Sequence, residues 1–134
     1  MENAEETLKV IPMDGALGAE ISGVDLSQNL DVVTVDGILR AFYDHRVIFF
    51  RGQKLTDPQL VTFAKHFGDP EHSPPNKSGD TWLKQFPELT CISNIKQDGQ
   101  PIGSLGNGEA IWHTDMSYID TPPTTSILYS LEIP

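Results

Sequence analysis

The pattern that most constrains the fold is a helical repeat followed closely by a short apolar run. One face of the predicted helix carries apolar residues at the i, i+3, i+4, i+7 spacing, namely Val35, Ile38, Leu39 and Phe42. The run at 47–50 follows Arg46 directly, and its short length and β-prone residues are typical of a buried strand. The sequence therefore predicts a helix over 32–45 and a strand over 47–50. Arg51 at the strand end is expected to form an ion pair or to be solvated there.

Similar patterns predict short elements on both sides of this pair. Residues 7–26 alternate short apolar runs with Gly and Pro, which predicts two strands joined by a turn near Asp14-Gly15. A second helix is expected with Asp57 as its capping residue and Pro58 in its first position. Its predicted apolar face consists of Leu60, Val61, Ala64 and Phe67. Gly68 is expected to end the helix.

The second half of the sequence is punctuated more heavily by Gly and Pro. Residues 69–81 and 96–110 predict loops, and the second of these is expected to be mobile. Strands are expected over 89–95 and 126–131, because both stretches are apolar and β-prone. The second of these strands would lack a later partner, so the sequence looks interrupted at Pro134.

Charge and composition exclude several classes of function. The net charge is −10 and no basic cluster occurs, so the phosphate-neutralising surface that nucleic acid requires is missing. No stretch approaches the roughly 20 apolar residues of a membrane span, and the acidic start is unlike a signal peptide. These features favour a cytoplasmic protein. The single cysteine, Cys91, excludes an internal disulfide and is expected to be a small buried residue of a strand.

The stretch "WHTDMSY" at 112–118 carries the most specific chemistry. In an extended strand, residues two apart point to the same face, so His113 and Asp115 would lie side by side. An imidazole and a carboxylate are two of the three ligands by which non-haem Fe(II) oxygenases hold their metal. An isolated pair with this spacing is more often a surface or hydrogen-bonded His near a turn Asp, since His-x-Asp occurs frequently by chance. Its aromatic neighbours Trp112 and Tyr118 are expected to pack in a core or a pocket wall.

The surrounding segments make this motif more specific. The motif continues into "PPTTSILYSLEIP", and earlier segments precede it in a fixed order: "GAEISGVDL" at 18–26, "HRVIFFRGQ" at 45–53, "FAKHFGDPE" at 63–71 and "ISNIKQDGQPIG" at 92–103. Together they closely resemble the taurine/2,4-D dioxygenase family of Fe(II)- and 2-oxoglutarate-dependent enzymes. The resemblance covers nearly the whole chain after its first few residues.

This resemblance implies a fold, a reaction and a metal site. The fold would be mixed α/β but mainly β: a double-stranded β-helix, or jelly-roll, with added helices, incomplete in this chain. Residues 1–134 would form the N-terminal part of a single dioxygenase domain. Fe(II) would be held by His113 and Asp115, and molecular oxygen and 2-oxoglutarate would be consumed. An aliphatic C–H of a small organic acid, such as a taurine-like sulfonate, would be hydroxylated as 2-oxoglutarate is decarboxylated to succinate.

The family's second ligand His and the Arg that pairs with 2-oxoglutarate would lie beyond residue 134, so the chain alone is expected to be inactive. On the substrate side, the resemblance places a substrate-contacting His at Ser73, with His72 one position away. An Asn of taurine-type enzymes falls on Glu109, and an acidic group there does not favour a sulfonate anion. Met116 beside Asp115 is expected to line the pocket or simply to pack.

Two other interpretations stay open at this point. The chain could be a non-catalytic binding or regulatory module that reuses the first half of the fold. It could also be a jelly-roll of the cupin type with a structural metal, although no His-rich cluster accompanies His113. The substrate, and whether a longer form is a homo-oligomer, are left open by the sequence.

Overall fold

The first structural unit holds a three-stranded sheet and two helices. The computed structural model describes residues 7–76, 79–105 and 112–132, and the chain divides into two compact units, 1–66 and 67–134. In the first unit the order is β1 (Lys9–Pro12), β2 (Ala19–Ser22), α1 (Val32–His45), β3 (Ile48–Phe50) and α2 (Asp57–Ala64). The predicted strand pair, the helix over 32–45 and the strand within 47–50 are therefore confirmed.

The sheet has β2 at its centre. Strand β1 pairs with it antiparallel, with Val10 opposite Ile21, and β3 pairs with it parallel, with Ile48 opposite Ala19. Helix α1 makes the crossover between the two parallel strands, as such a connection requires. Alternate residues of β2 point into the core, so Ala19 and Ile21 are buried while Glu20 is half-exposed.

Helix α1 begins and ends at capping residues that satisfy its free backbone groups. At its start the Thr34 backbone N–H donates to Asp31 Oδ1 at 2.8 Å, and this bond holds the pKa of the Asp31 carboxyl below its usual value of 3.8. At its end Arg46 adopts a left-handed φ of 66° and its N–H donates to the Phe42 carbonyl oxygen at 2.7 Å. The predicted apolar face is confirmed: Ile38 is buried, and Val35, Leu39 and Phe42 are half-buried.

Helix α2 differs from its prediction at both ends. Its N-cap is Thr56, not Asp57, and Gln59 Oε1 accepts hydrogen bonds from the Thr56 N–H and hydroxyl, each at 2.8 Å. Pro58 is consequently the second helical residue, and the helix ends at Ala64, four residues before Gly68. The prediction of its apolar face omitted Phe63, which is only 5% exposed and meets the Phe50 ring edge-on at 5.6 Å.

The core of the first unit is formed by one side of the sheet and one side of each helix. Its buried apolar residues are Ala19, Ile21, Leu26, Ile38, Ala41, Val61 and Phe63. Gln53 ties the segment after β2 to this core, because its side chain accepts from the Leu26 N–H at 2.9 Å and donates to the Val24 carbonyl at 3.1 Å. Arg51 forms the expected ion pair, with Glu20 at 3.2 Å.

The second unit contains only very short strands among its described residues. They are β4 (Ile92–Ser93), β5 (Lys96–Gln97), β6 (Gln100–Pro101) and β7 (Ser104–Leu105). Strands β5 and β6 form a hairpin around Asp98 and Gly99, whose φ values of 51° and 78° suit an Asp-Gly turn. Strands β4 and β7 pair parallel. The loop predicted over 96–110 is therefore wrong at the residues that form β5, β6 and β7, and 106–110 lies outside the described residues.

Two predicted strands of this unit are also wrong in extent. Over 89–95 only Ile92–Ser93 is a strand, and 126–131 contains none. A strand requires ladder hydrogen bonds to a neighbour, which local apolar character does not supply. Along 126–130 the exposure still alternates, with Ile127 and Tyr129 half-buried and Leu128 83% exposed. The loop predicted over 69–81 contains no helix or strand among its described residues, as expected.

The described architecture is mixed α/β, as predicted, but it is not mainly β. Helix α1 alone has 14 residues, whereas the longest strands have four. Cys91 is half-buried and lies just before β4 instead of within a strand. Within the described residues, no helix is both long and apolar enough to cross a membrane.

Candidate metal centre

His113 and Asp115 are in direct contact in the second unit. His113 Nε2 lies 3.1 Å from Asp115 Oδ1, and the two side chains are 66% and 55% exposed. The contact is a hydrogen bond in the tautomer whose Nε2 carries the ring hydrogen, with the carboxylate oxygen accepting. The side chains thus share one side of the backbone, as the spacing predicted, and each is more than half exposed.

The local backbone that brings them together is a turn, not the extended strand assumed from the spacing. Residues 112–114 are irregular and a turn begins at Asp115. Met116 holds a left-handed φ of 48°, and the Ile119 N–H donates to its carbonyl oxygen at 3.3 Å. Such a φ is uncommon for a residue other than glycine. The turn directs the chain away from the pair immediately after the carboxylate.

Ser126 completes the surroundings of Asp115. Its hydroxyl donates to Asp115 Oδ2 at 2.8 Å, across eleven residues of sequence. The two carboxylate oxygens therefore have different partners: Oδ1 faces the imidazole and Oδ2 faces the hydroxyl. Sequence reasoning missed Ser126, because no periodic pattern relates it to the motif.

The spacing of the two donor atoms suits a shared metal ion. Two ligand atoms about 2.1 Å from one ion and at right angles to each other lie about 3.0 Å apart. The observed separation is 3.1 Å. A neutral imidazole nitrogen and a carboxylate oxygen match the donor types of a non-haem Fe(II) site. Nowhere in residues 7–76, 79–105 or 112–132 do three His, Cys, Asp or Glu side chains form a group able to hold a metal, so the described residues supply two donors.

The residues expected on the substrate side are only partly described. His72 is exposed in the loop after Gly68, Met116 is half-buried in the turn, and Glu109 lies outside the described residues. The neighbouring Ser73 has a structural role: its N–H donates to the Pro87 carbonyl at 2.9 Å, and its hydroxyl contacts the same oxygen at 3.2 Å.

The aromatic residues that flank the pair do not pack as expected. Trp112 is fully exposed and Tyr118 is 77% exposed. Both rings leave large apolar surfaces in water beside the His–Asp pair. The expectation of core or pocket-wall packing is therefore wrong for this structure, since neither ring is covered by the described chain.

Comparison with known proteins shows the family of this chain. The family model "Taurine catabolism dioxygenase TauD, TfdA family" matches residues 9–134, which include the His–Asp pair. The chain belongs to this family. The resemblance read from the ordered sequence segments is thereby confirmed.

Individual members of the family show the same likeness. The chain is 38% identical over 130 residues to an alpha-ketoglutarate-dependent sulfate ester dioxygenase of Pseudomonas putida, covering 95% of this chain. It is 36% identical over 137 residues to an alkylsulfatase of Acinetobacter baylyi, covering all of this chain. In both cases it spans 38% of the relative's length.

A solved structure of an enzyme also resembles this chain. A taurine dioxygenase from Burkholderia xenovorans superposes with a TM-score of 0.55 at 34% identity. The match covers 65% of this chain and 32% of the other. The chain therefore shares both sequence and backbone with part of such an enzyme.

Proposed function

We propose that the protein carrying this chain is an Fe(II)- and 2-oxoglutarate-dependent dioxygenase in which His113 and Asp115 are two of the metal ligands. The observation that carries the proposal is the 3.1 Å contact between an imidazole nitrogen and a carboxylate oxygen. Both residues lie within 9–134, the part of the chain that the family model matches. The relatives' printed dependence on alpha-ketoglutarate supports the co-substrate. Fe(II), when bound with 2-oxoglutarate and oxygen, supplies the oxidising chemistry for hydroxylation and decarboxylation.

The residues of the chain would then act as follows. His113 presents Nε2 to the metal, which requires the ring hydrogen to move to Nδ1 or to be lost, because a ligating nitrogen must be unprotonated. Asp115 presents Oδ1 and contributes the negative charge. Because both side chains are more than half exposed, the pair would leave room for the further ligands that a two-His, one-carboxylate site takes up. The second His would come from outside the described residues.

The substrate we propose is a small organic acid with an aliphatic C–H. The sulfate ester dioxygenase and the alkylsulfatase favour a sulfate ester over taurine itself. His72, Glu109 and Met116 remain the proposed substrate-side residues. An acidic Glu109 near an anionic substrate would weaken its binding, which counts against a sulfonate such as taurine.

The proposal extends to the domain and its surroundings. We propose a jelly-roll of which residues 1–134 form the N-terminal part, in a cytoplasmic enzyme. The likeness to the taurine dioxygenase structure supports this assignment. A non-catalytic module of the same fold would bind no metal and release no succinate, so the two interpretations predict different results in one assay.

The test is succinate formation from 2-oxoglutarate by the protein that carries this chain, with His113→Ala, Asp115→Ala and Asp120→Ala. Asp120 is an exposed aspartate five positions after Asp115, so its variant is a matched control for loss of a carboxylate. We expect the first two variants to fall to background and the control to keep wild-type turnover. Normal turnover in either of the first two would refute the ligand assignment.

A further inference from the structure

We infer that Ser126 is a positioning residue for the metal site, holding Asp115 in the orientation that presents Oδ1 beside His113. The inference rests on the proposed function, because it concerns the same pair of ligands. It goes beyond that function by giving a role to a residue that neither the motif nor the family description includes. The observation that carries it is the 2.8 Å hydrogen bond from the Ser126 hydroxyl to Asp115 Oδ2.

The Asp115 carboxylate would be free to rotate if it had no partner besides His113. The Asp115 side chain is 55% exposed, and the torsion that turns its carboxylate is broad and roughly two-fold. Without a second partner the carboxylate could rotate and exchange its two oxygens. Ordering it only when the metal binds would cost conformational entropy. A partner already bound to one oxygen removes that freedom before the metal arrives.

Each oxygen of the Asp115 carboxylate has its own contact. Oδ1 lies 3.1 Å from His113 Nε2, and Oδ2 lies 2.8 Å from the Ser126 hydroxyl. A hydroxyl that donates to an ionised carboxylate makes a stronger bond than one between neutral groups. With Oδ2 so engaged, Oδ1 would be the oxygen that Asp115 presents to a metal.

The segment between Asp115 and Ser126 returns the chain to the carboxylate. It follows the turn at 115–118 and the rigid Pro122-Pro123 pair, whose rings fix the backbone φ angles. These features bring the chain back to Asp115 after eleven residues. Outer partners that orient metal ligands in this way typically change metal affinity about 10- to 100-fold when they are removed.

The experiment measures the affinity of the metal-free protein that carries this chain for Co(II) alone, without 2-oxoglutarate. Co(II) resists oxidation by air in such sites and accepts the same donor types as Fe(II). The variants are Ser126→Ala, Ser126→Thr, which keeps a hydroxyl, and Ser130→Ala. Ser130 is an exposed serine four residues further along the same segment and serves as the matched control. The melting temperature of each metal-free variant is measured alongside.

We expect Ser126→Ala to weaken Co(II) binding about 10- to 100-fold, with the metal-free melting temperature unchanged. Ser126→Thr should retain most of the affinity, and Ser130→Ala should match the wild type. Unchanged affinity in Ser126→Ala, while His113→Ala abolishes binding, would overturn this inference alone. Equal weakening by Ser126→Ala and Ser130→Ala would also overturn it. Unchanged affinity in His113→Ala would overturn the proposed function and this inference with it.

Discussion

The same substitution, glycine to alanine, should have opposite effects at two positions of this chain. A β-carbon on Gly103 would lie 2.7 Å from the Cys91 carbonyl oxygen and 2.8 Å from the Ser93 β-carbon. Ordinary contacts of this kind begin at 3.4 Å, so the pairing of β4 with β7 would have to open. On Gly37, in the middle of α1, the new carbon would meet only the flexible end of Leu8, at 3.4 Å.

These distances set the expected free energies of unfolding. Forced overpacking against backbone typically costs about 1–3 kcal/mol, which is the destabilisation expected for Gly103→Ala. Alanine in a helix interior is more favourable than glycine by about 1 kcal/mol, so Gly37→Ala should stabilise by a similar amount. Thermal unfolding of the protein that carries this chain should show melting temperatures shifted in opposite directions. Equal stability of Gly103→Ala and wild type would refute the close approach of residue 103 to β4.

Two other predictions concern the first unit. Phe63→Ala should destabilise the protein by about 3–5 kcal/mol, because Phe63 is 5% exposed and packs against Phe50. Denaturant unfolding would measure this loss of stability. A smaller loss than that caused by Tyr43→Ala, which changes an exposed residue, would contradict the assigned core. The hydrogen bond from Thr34 lowers the pKa of Asp31 below 3.8. The stabilisation from this bond is therefore complete above the pKa that Asp31 has in the unfolded chain, and it is lost as the pH falls through the pKa of the folded protein. As the pH falls from neutral to below the pKa of Asp31, the wild type should therefore lose stability relative to Asp31→Asn. A melting-temperature difference between the two proteins that does not change with pH would refute this.

Local patterns predicted those parts of the fold that local interactions determine. Helix α1 was predicted to its last residue, because its apolar period and the change of pattern at Arg46 agree; the Asp31 cap was first seen in the structure. The cap of α2 was misassigned because Asp57 and Thr56 are both good capping residues. The choice depends on Gln59, whose side chain reaches back to Thr56.

The second unit was harder to predict because its structure depends on distant partners. The stretch 126–131 has the composition of a strand, but no strand forms there in the described structure. The His–Asp pair was predicted from its spacing, whereas the turn that forms it, with Met116 at positive φ, was not. Ser126 could not be predicted at all, since its contact with Asp115 depends on how the intervening segment returns.

The central claim is that His113 and Asp115 together hold Fe(II). An anaerobic equilibrium titration of Fe(II) into the metal-free protein that carries this chain tests it most directly. The titration is repeated with Asp115→Ala and with the control Asp120→Ala. The account predicts one ion bound per chain in the wild type and in the control, and none in Asp115→Ala at the same concentrations. Wild-type binding by Asp115→Ala would contradict it.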